Sequence, residues 1–225
     1  MKIKAIIPAR SGSVRCKNKN IRDFNGETLL ELKIKQLLRI PVLDGIIVNS
    51  NDDNILEIAS KYDIECVKRD NHYATSTVSI NDVYQNIAQN FDADIMVYCN
   101  CTNPFIKDET IMDCIKIYND MDMSKNQSVN TAFKLKSFIW YNSKPLNYNY
   151  DKMPRSQDLP EYISPNFGVN VISKNYVIKY KQIISKNPFF YIIDNIEGFD
   201  IDDEIDFQIS KNIYKEINYK NTFIK

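Results

Sequence analysis

Four cationic side chains, Arg10, Arg15, Lys17 and Lys19, fall within ten positions and are interleaved with Ser11, Gly12, Ser13, Asn18 and Asn20. Such a stretch offers cations, hydroxyls and backbone N–H groups together, which is what a polyphosphate requires. Gly12 lets the backbone come close to an anion, and Arg and Lys supply charge-assisted hydrogen bonds to phosphate oxygens. A solvated basic loop is the alternative, and position decides between the two. The residues just before it, Ile3, Ala5, Ile6 and Ile7 ahead of Pro8, have the length and β-branching of a buried strand. Ligands of open α/β sheets bind at the carboxyl ends of strands, and this loop leaves the first one.

A second group of reactive side chains is acidic, in the run from Glu197 to Phe207. In extended backbone, residues two apart point the same way at about 6.6 Å, so Asp200 and Asp202 present both carboxylates to one side. Two hard oxygen ligands beside a triphosphate suit Mg²⁺, which is held by one or two carboxylates plus phosphates and water. Asp203, Glu204 and Asp206 sit where acidic residues favour a helix N-terminus and read as caps. An Asp-x-Asp pair also serves nucleotide-sugar glycosyltransferases, but those have no need of a dense cationic loop after the first strand.

Polar residues also gather where strands end. Asn100, Thr102 and Asn103 follow an apolar run and precede a helix, so they are placed either for ligand contacts or as ordinary turn formers. Arg155 either pairs bidentately with a substrate carboxylate or belongs to an exposed Arg-Asp loop. Cys99 and Cys101 are too few for zinc, and the lone His72 offers no partner; buried thiols are the better reading.

The elements needed to hold these groups are legible in the hydrophobic pattern. Strand-like runs at 3–7, 45–48, 65–68 and 94–98 alternate with helical ones at 28–40, 51–62, 81–90 and 108–118. The pattern predicts an α/β fold, a mostly parallel open sheet flanked by helices. Asn25-Gly26 marks a turn and Pro41 ends the first helix. From about Ser124 the rhythm breaks into β-favouring and turn-forming residues, read as an antiparallel excursion over 124–165. It then resumes with strands at 166–172 and 188–193 and helices at 175–185 and 204–218. The last carries Ile205, Ile209, Ile213 and Ile217 as an i+4 stripe.

Composition narrows the classes further. A single domain of 225 residues buries about 70–75% of its unfolded surface. The 29 basic and 29 acidic residues cancel, which argues against a general nucleic-acid binder. No apolar run approaches a membrane span. Five cysteines, an odd number, and an N-terminus without a signal-peptide pattern indicate a cytoplasmic protein. With Gly only at 12, 26, 45, 168 and 198, neither G-x-G-x-x-G nor G-x-x-x-x-G-K-[ST] can be written, which sets aside Rossmann dinucleotide enzymes and Walker-type ATPases.

The loop IPARSGS followed by Lys19-Asn20 resembles the signature I-P-A-R-x-G-S-K-x-x-P-x-K-N of the CMP-sialic acid synthetases (acylneuraminate cytidylyltransferases), which are related to the Kdo cytidylyltransferases. The resemblance runs from about Ile3 to Phe207. It implies a Rossmann-like nucleotidyltransferase fold, with Arg10, Arg15 and Lys19 on the phosphates and Ala9, Ser11, Gly12, Ser13 and Asn20 holding the nucleotide. Val14 and Lys17 depart from the signature's Lys and Pro, and Arg15 is the available substitute for the lost cation. The run from Arg69 to Ser79 is similar to the family's R-P-x-x-x-A-x-D-x-A-S, implying that Arg69, Thr77 and Ser79 contact the cytidine, with Ser76 in place of Asp. Asn100, Thr102 and Asn103 stand in the family's Q-P-T-S-P-L-R, which contacts the sugar acid; Ile106 replaces its Arg.

Arg155 to Tyr162 matches R-x-Q-D-x-P-x-x-Y, implying that Arg155, Gln157 and Asn166 reach a sugar acid and that the 124–165 element dimerises the protein. The family's D-I-D implies Mg²⁺ on Asp200 and Asp202. The expected activity is transfer of CMP from CTP to the anomeric hydroxyl of a nonulosonic acid. A Kdo-like or non-sugar acceptor, suggested by Asn100, Ile106 and Arg15, and a non-catalytic nucleotide binder, suggested by Val14, remain as alternatives.

Overall fold

The structure, a computed structural model, describes residues 1–12 and 15–223, with the side chains of the last helix described up to residue 217. Ser13 and Val14 lie outside the described residues. The chain opens with β1 (Ile3–Pro8), then a small hairpin of β2 (Asp23–Phe24) and β3 (Glu27–Thr28). Asn25 and Gly26 turn it with φ of 60° and 92°, the left-handed pair that a two-residue hairpin turn requires. Next come α1 (Leu29–Leu38), β4 (Gly45–Ser50), α2 (Asp53–Ala59), β5 (Glu65–Lys68), α3 (Ile80–Gln89), β6 (Ile95–Cys99) and α4 (Asp108–Asp120). Thr28 starts α1 with a reciprocal capping box to Glu31, Asp52 caps α2 and Ser79 caps α3.

The second half contributes β7 (Ser128–Leu135), a hairpin of β8 (Trp140–Tyr141) and β9 (Lys144–Pro145), β10 (Tyr162–Ser173), α5 (Lys174–Tyr180), β11 (Pro188–Ile192) and α6 (Glu204–Phe223). Seven strands form one sheet in the order β11-β7-β10-β6-β1-β4-β5. Every neighbouring pair is parallel except the two that β10 makes, with β6 and β7. β7 is thus a member of the main sheet, and the chain leaves that sheet only after Leu135, returning at Tyr162. The expected helix over 175–185 stops at Tyr180, because Lys181 adopts a left-handed φ of 55°.

β1 lies between β4 on one side and β6 on the other, so the strand order reverses there and a crevice opens beyond its carboxyl end. Alternation along β1 sends Ala5 and Ile7 into one core and Ile6 into the other. The first core holds the inward faces of α1, α2 and α4 with Phe207 of α6, and the second those of α3 and α5. A strand covered on both faces reads as a continuous apolar run, which is how β1 and β6 announce themselves.

The isoleucine stripe of α6 does not face the core. Ile205 is 69% exposed and Ile209 42%, while Phe207 and Ser210 are buried. Phe207 and Tyr214, seven apart, pack on Phe24 at centroid distances of 5.5 and 5.3 Å, and this aromatic contact sets the rotation of the helix.

Candidate functional site

The parallel strands β1, β4 and β6 all end at one edge, and the start of β10 joins them because it runs the other way. The segment after β11 crosses the same edge, bringing Asp200 and Asp202 to the loop that follows β1. A cleft of about 270 Å³ is lined there by Pro8, Arg10, Arg15, Cys16, Lys19, Asn20, Asn100, Cys101, Thr102 and Asp202. Three cations therefore surround a space to which one carboxylate contributes. Arg15 Nη2 donates to Asp202 Oδ1 at 2.8 Å, the Lys19 ammonium to the Ile201 carbonyl, and Arg10 Nη1 to the Ala74 carbonyl at 2.8 Å. The Asn20 Oδ1 is buried without a hydrogen-bond partner, an acceptor that a ligand donor would satisfy.

The loop backbone is set by Gly12 at φ 79°, a conformation that side chains resist. Asn51, at the end of β4, clamps the loop from below: its Oδ1 accepts from the Ser11 amide at 3.1 Å and its Nδ2 donates to Ser11 Oγ at 2.9 Å. Ser11 and Gly12 border a small void beneath the loop. Ala9 is buried, its amide bonded to the Asn49 carbonyl, so only its carbonyl is left for a ligand.

A second cleft of about 630 Å³ adjoins the first. Phe133, Lys134, Lys136, Asn166, Phe167 and Asp200 are among its lining residues. The two clefts share a wall in which Asn100 Nδ2 donates to the Phe167 carbonyl at 3.1 Å. Phe167 takes a left-handed φ of 56° where β10 loses register between Pro165 and Asn170. Asn166 is buried and bonded on three sides, to the Thr131 hydroxyl, the Gly168 amide and the Gly198 carbonyl, which ties β10 to β7 and to the crossing segment.

Asp200 and Asp202 flank the fully buried Ile201, as alternation requires, but border different clefts. Burial pushes the Asp200 carboxyl up, with Thr102 and Lys19 opposing, and its Oδ1 is buried without a partner. An orphaned carboxylate oxygen beside a second, exposed carboxylate is a donor set that fits a hard divalent cation completed by phosphate and water. Among the described residues no cluster of three or more His, Cys, Asp or Glu exists to hold a metal alone. Asp203 and Asp206 cap each other's backbone at the start of α6. Glu204 instead takes a bidentate ion pair from Arg22, which holds its carboxyl down at about 2.

Several expected contacts lie elsewhere. Arg69 is buried and spends its guanidinium on Asn49, donating to its Oδ1 at 2.6 Å and its carbonyl at 3.1 Å. Thr77 and Ser79 line a separate cavity of about 420 Å³, and Ser79 is the cap of α3. Asn103 is fully buried, its Nδ2 donating to the Phe199 carbonyl at 3.2 Å, so it braces the crossing segment from within and does not reach the cleft. Ile106 is likewise buried, close against Gly168. Arg155 is tied to Asp158 and, with Gln157, stands exposed on the segment outside the main sheet. Lys136 escaped attention in the sequence, since a Lys beside a turn carries no distinguishing pattern.

A cationic cleft beyond the first strand, at the reversal point of a mostly parallel sheet, defines a nucleotide-binding α/β protein. The cytidylyltransferase family model matches residues 4–211, and the chain belongs to that family. It is 26% identical to the pseudaminic acid cytidylyltransferase of Campylobacter jejuni serotype O:23/36, over 99% of this chain and 100% of the relative. It is 25% identical to the N-acylneuraminate cytidylyltransferase of Escherichia coli O18:K1:H7, matching 96% of this chain and 53% of that longer relative. The fold is also that of a CMP:2-keto-3-deoxy-manno-octonic acid synthetase solved with CTP, at a TM-score of 0.72 and 13% identity over 96% of this chain and 99% of that one. Among the described residues no helix is long and apolar enough to cross a membrane.

Proposed function

We propose that the protein transfers CMP from CTP to the anomeric hydroxyl of a nonulosonic, sialic-type acid, releasing pyrophosphate. The observation that carries this reading is the convergence of Arg10, Arg15 and Lys19 with Asp202 on one cleft, in a chain of the cytidylyltransferase family. The acceptor oxygen attacks the α-phosphorus, a new P–O bond forms, and the bond to the bridging oxygen of the β-phosphate breaks with its electron pair leaving on pyrophosphate. The acceptor proton is lost to solvent. Arg10, Arg15 and Lys19 hold the phosphates in line and neutralise charge, so that catalysis is positioning and electrostatics. Asp200 and Asp202 would hold Mg²⁺, which supplies further neutralisation of the phosphate oxygens.

The adjoining cleft suits the acceptor. Lys134 and Lys136, which share Glu161 at 2.8 and 3.9 Å, can turn to a substrate carboxylate, and Ser164 and Ser137 offer hydrogen bonds to hydroxyls. A homodimer and a cytoplasmic location belong to the same reading: Trp140, Tyr141 and Tyr150 are exposed on the segment between β7 and β10, a surface suited to a second copy. The test is pyrophosphate release from CTP and Mg²⁺ with N-acetylneuraminate, legionaminate, pseudaminate and Kdo. Release with one of the first three supports the reading. Release with Kdo alone moves the acceptor class, and silence with all four despite calorimetric CTP binding overturns the catalytic reading.

A further inference from the structure

Lys33 is an ionisable side chain in the interior. It sits on the inward face of α1 with 2% of its surface exposed, and burial pushes its ammonium below the ordinary lysine value. Its partners are neutral: the ammonium donates to Gln36 Oε1 at 2.7 Å and to the Asn103 carbonyl at 3.2 Å. The thiols of Cys99 and Cys101 are close enough to act on it and are themselves pushed up by burial, to about 11 and about 12, so they bring no anion to it. A buried amine without a carboxylate at contact distance is expensive, and an apolar side chain of similar length would pack there more cheaply. Packing therefore does not account for the amine.

What the amine touches does. Gln36, one turn on, donates to the Ile106 carbonyl and to Asp108 Oδ1, so α1 grips both ends of the loop from Asn103 to Ile106. That loop in turn carries the crossing segment: the Asn103 side-chain Nδ2 donates to the Phe199 carbonyl at 3.2 Å, and the Thr102 carbonyl accepts from the Ile201 backbone amide at 2.9 Å. Phe199 and Ile201 are the two neighbours of Asp200. Asp200 is thus suspended between two hydrogen bonds, one ending on the Thr102 carbonyl and the other on the Asn103 side chain, and Lys33 holds the carbonyl of that same Asn103.

We propose that Lys33 is a positioning residue for Asp200: by holding the Asn103 carbonyl it sets the segment that presents the metal-binding carboxylate. This rests on the cytidylyl-transfer reading for its purpose, and on the hydrogen bonds alone for its geometry. Lys33→Met keeps the side-chain length and removes the donor. The variant is expected to melt at or above the wild-type temperature, because a buried polar group that is costly to desolvate is gone. Hydrogen exchange of the Ile201 amide should quicken about tenfold and Mn²⁺ affinity, read from the loss of its free aqueous EPR signal, should fall about tenfold, the size of one lost hydrogen bond to a charged group.

Lys33→Met with wild-type Ile201 exchange and wild-type Mn²⁺ affinity overturns the proposal. Should that variant not fold, Lys33→Gln, which withdraws the donor from Asn103 but stays polar, is measured in the same two ways with the same expected and overturning results. Asn103→Ala should weaken Mn²⁺ binding similarly, and the double variant should lose no more than the larger single effect, since both act along one path. Because neither readout needs turnover, a wild-type protein that releases no pyrophosphate from CTP overturns the functional reading and leaves the Lys33 test standing.

Discussion

Arg15 and Asp202, 187 positions apart, meet at 2.8 Å across the mouth of the cationic cleft. Both side chains are largely exposed, so the pair contributes little to stability. Its significance lies in what each partner is free to do next. On the proposed function, Arg15 would exchange a carboxylate for a phosphate and Asp202 a guanidinium for a metal ion, so that binding of a metal-nucleotide complex would swap partners without leaving either charge alone. Arg15→Ala should therefore melt close to wild type and lose roughly tenfold to a hundredfold in kcat/KM for CTP. Unchanged kinetics would show that Arg15 takes no part in holding the phosphates.

Asp202→Ala should abolish turnover with the fold intact, as judged by circular dichroism and melting. An unaltered rate would sink the metal assignment.

The raised carboxyl of Asp200 gives a prediction with a definite sign. Burial lifts its folded-state value above the ordinary one, so at neutral pH the ionised side chain opposes folding, and that opposition fades as pH falls to the range where both states are protonated. Asp200→Asn should raise Tm at pH 7 by about 2–4 °C, with the gain disappearing near pH 3, while turnover is lost. A lower Tm at pH 7 would show that the carboxylate is held by contacts worth more than its burial costs.

Glu204 behaves in the opposite sense. Arg22 holds its folded-state carboxyl down at about 2 from an ordinary 4.5, so the stabilisation is complete above about 4.5 and is lost as pH falls toward about 2. The Tm difference between wild type and Glu204→Gln should be largest at neutral pH and close up on acidification. A difference independent of pH would assign the effect to packing of Arg22, whose guanidinium lies 3.8 Å from the Phe207 ring centroid.

Lys136→Ala should raise KM for the acceptor about tenfold and leave KM for CTP near wild type, because Lys136 borders the second cleft and not the first. Equal changes in both constants would dissolve the division of the site into two clefts.

The strands and the clustering of the basic loop were legible because each rests on a local pattern. β1 and β6 are continuous apolar runs, and Arg10, Arg15 and Lys19 are close in sequence and stay close in space. What could not be read was the direction in which single side chains turn. Arg69 and Asn103 carry polar groups suited to ligands, yet their guanidinium and amide are spent inside, on Asn49 and on Phe199. The i+4 isoleucines of α6 mimic a core face, and only the docking of Phe207 and Tyr214 on Phe24 reveals that the core lies elsewhere. The membership of β7 in the main sheet was hidden as well, since its partners β10 and β11 lie far along the chain.

The crossing segment after β11 also governs when the site can exist at all during synthesis. Arg10, Arg15 and Lys19 leave the ribosome among the first residues, but Asp200 and Asp202 emerge only after β11 has been made. A nascent chain holding β1 to β6 already has most of its parallel strands and its basic loop, without the Asp202 that pairs with Arg15. The cleft is thereby completed only near the end of synthesis, so that a molecule truncated before Asp200 lacks one wall of it.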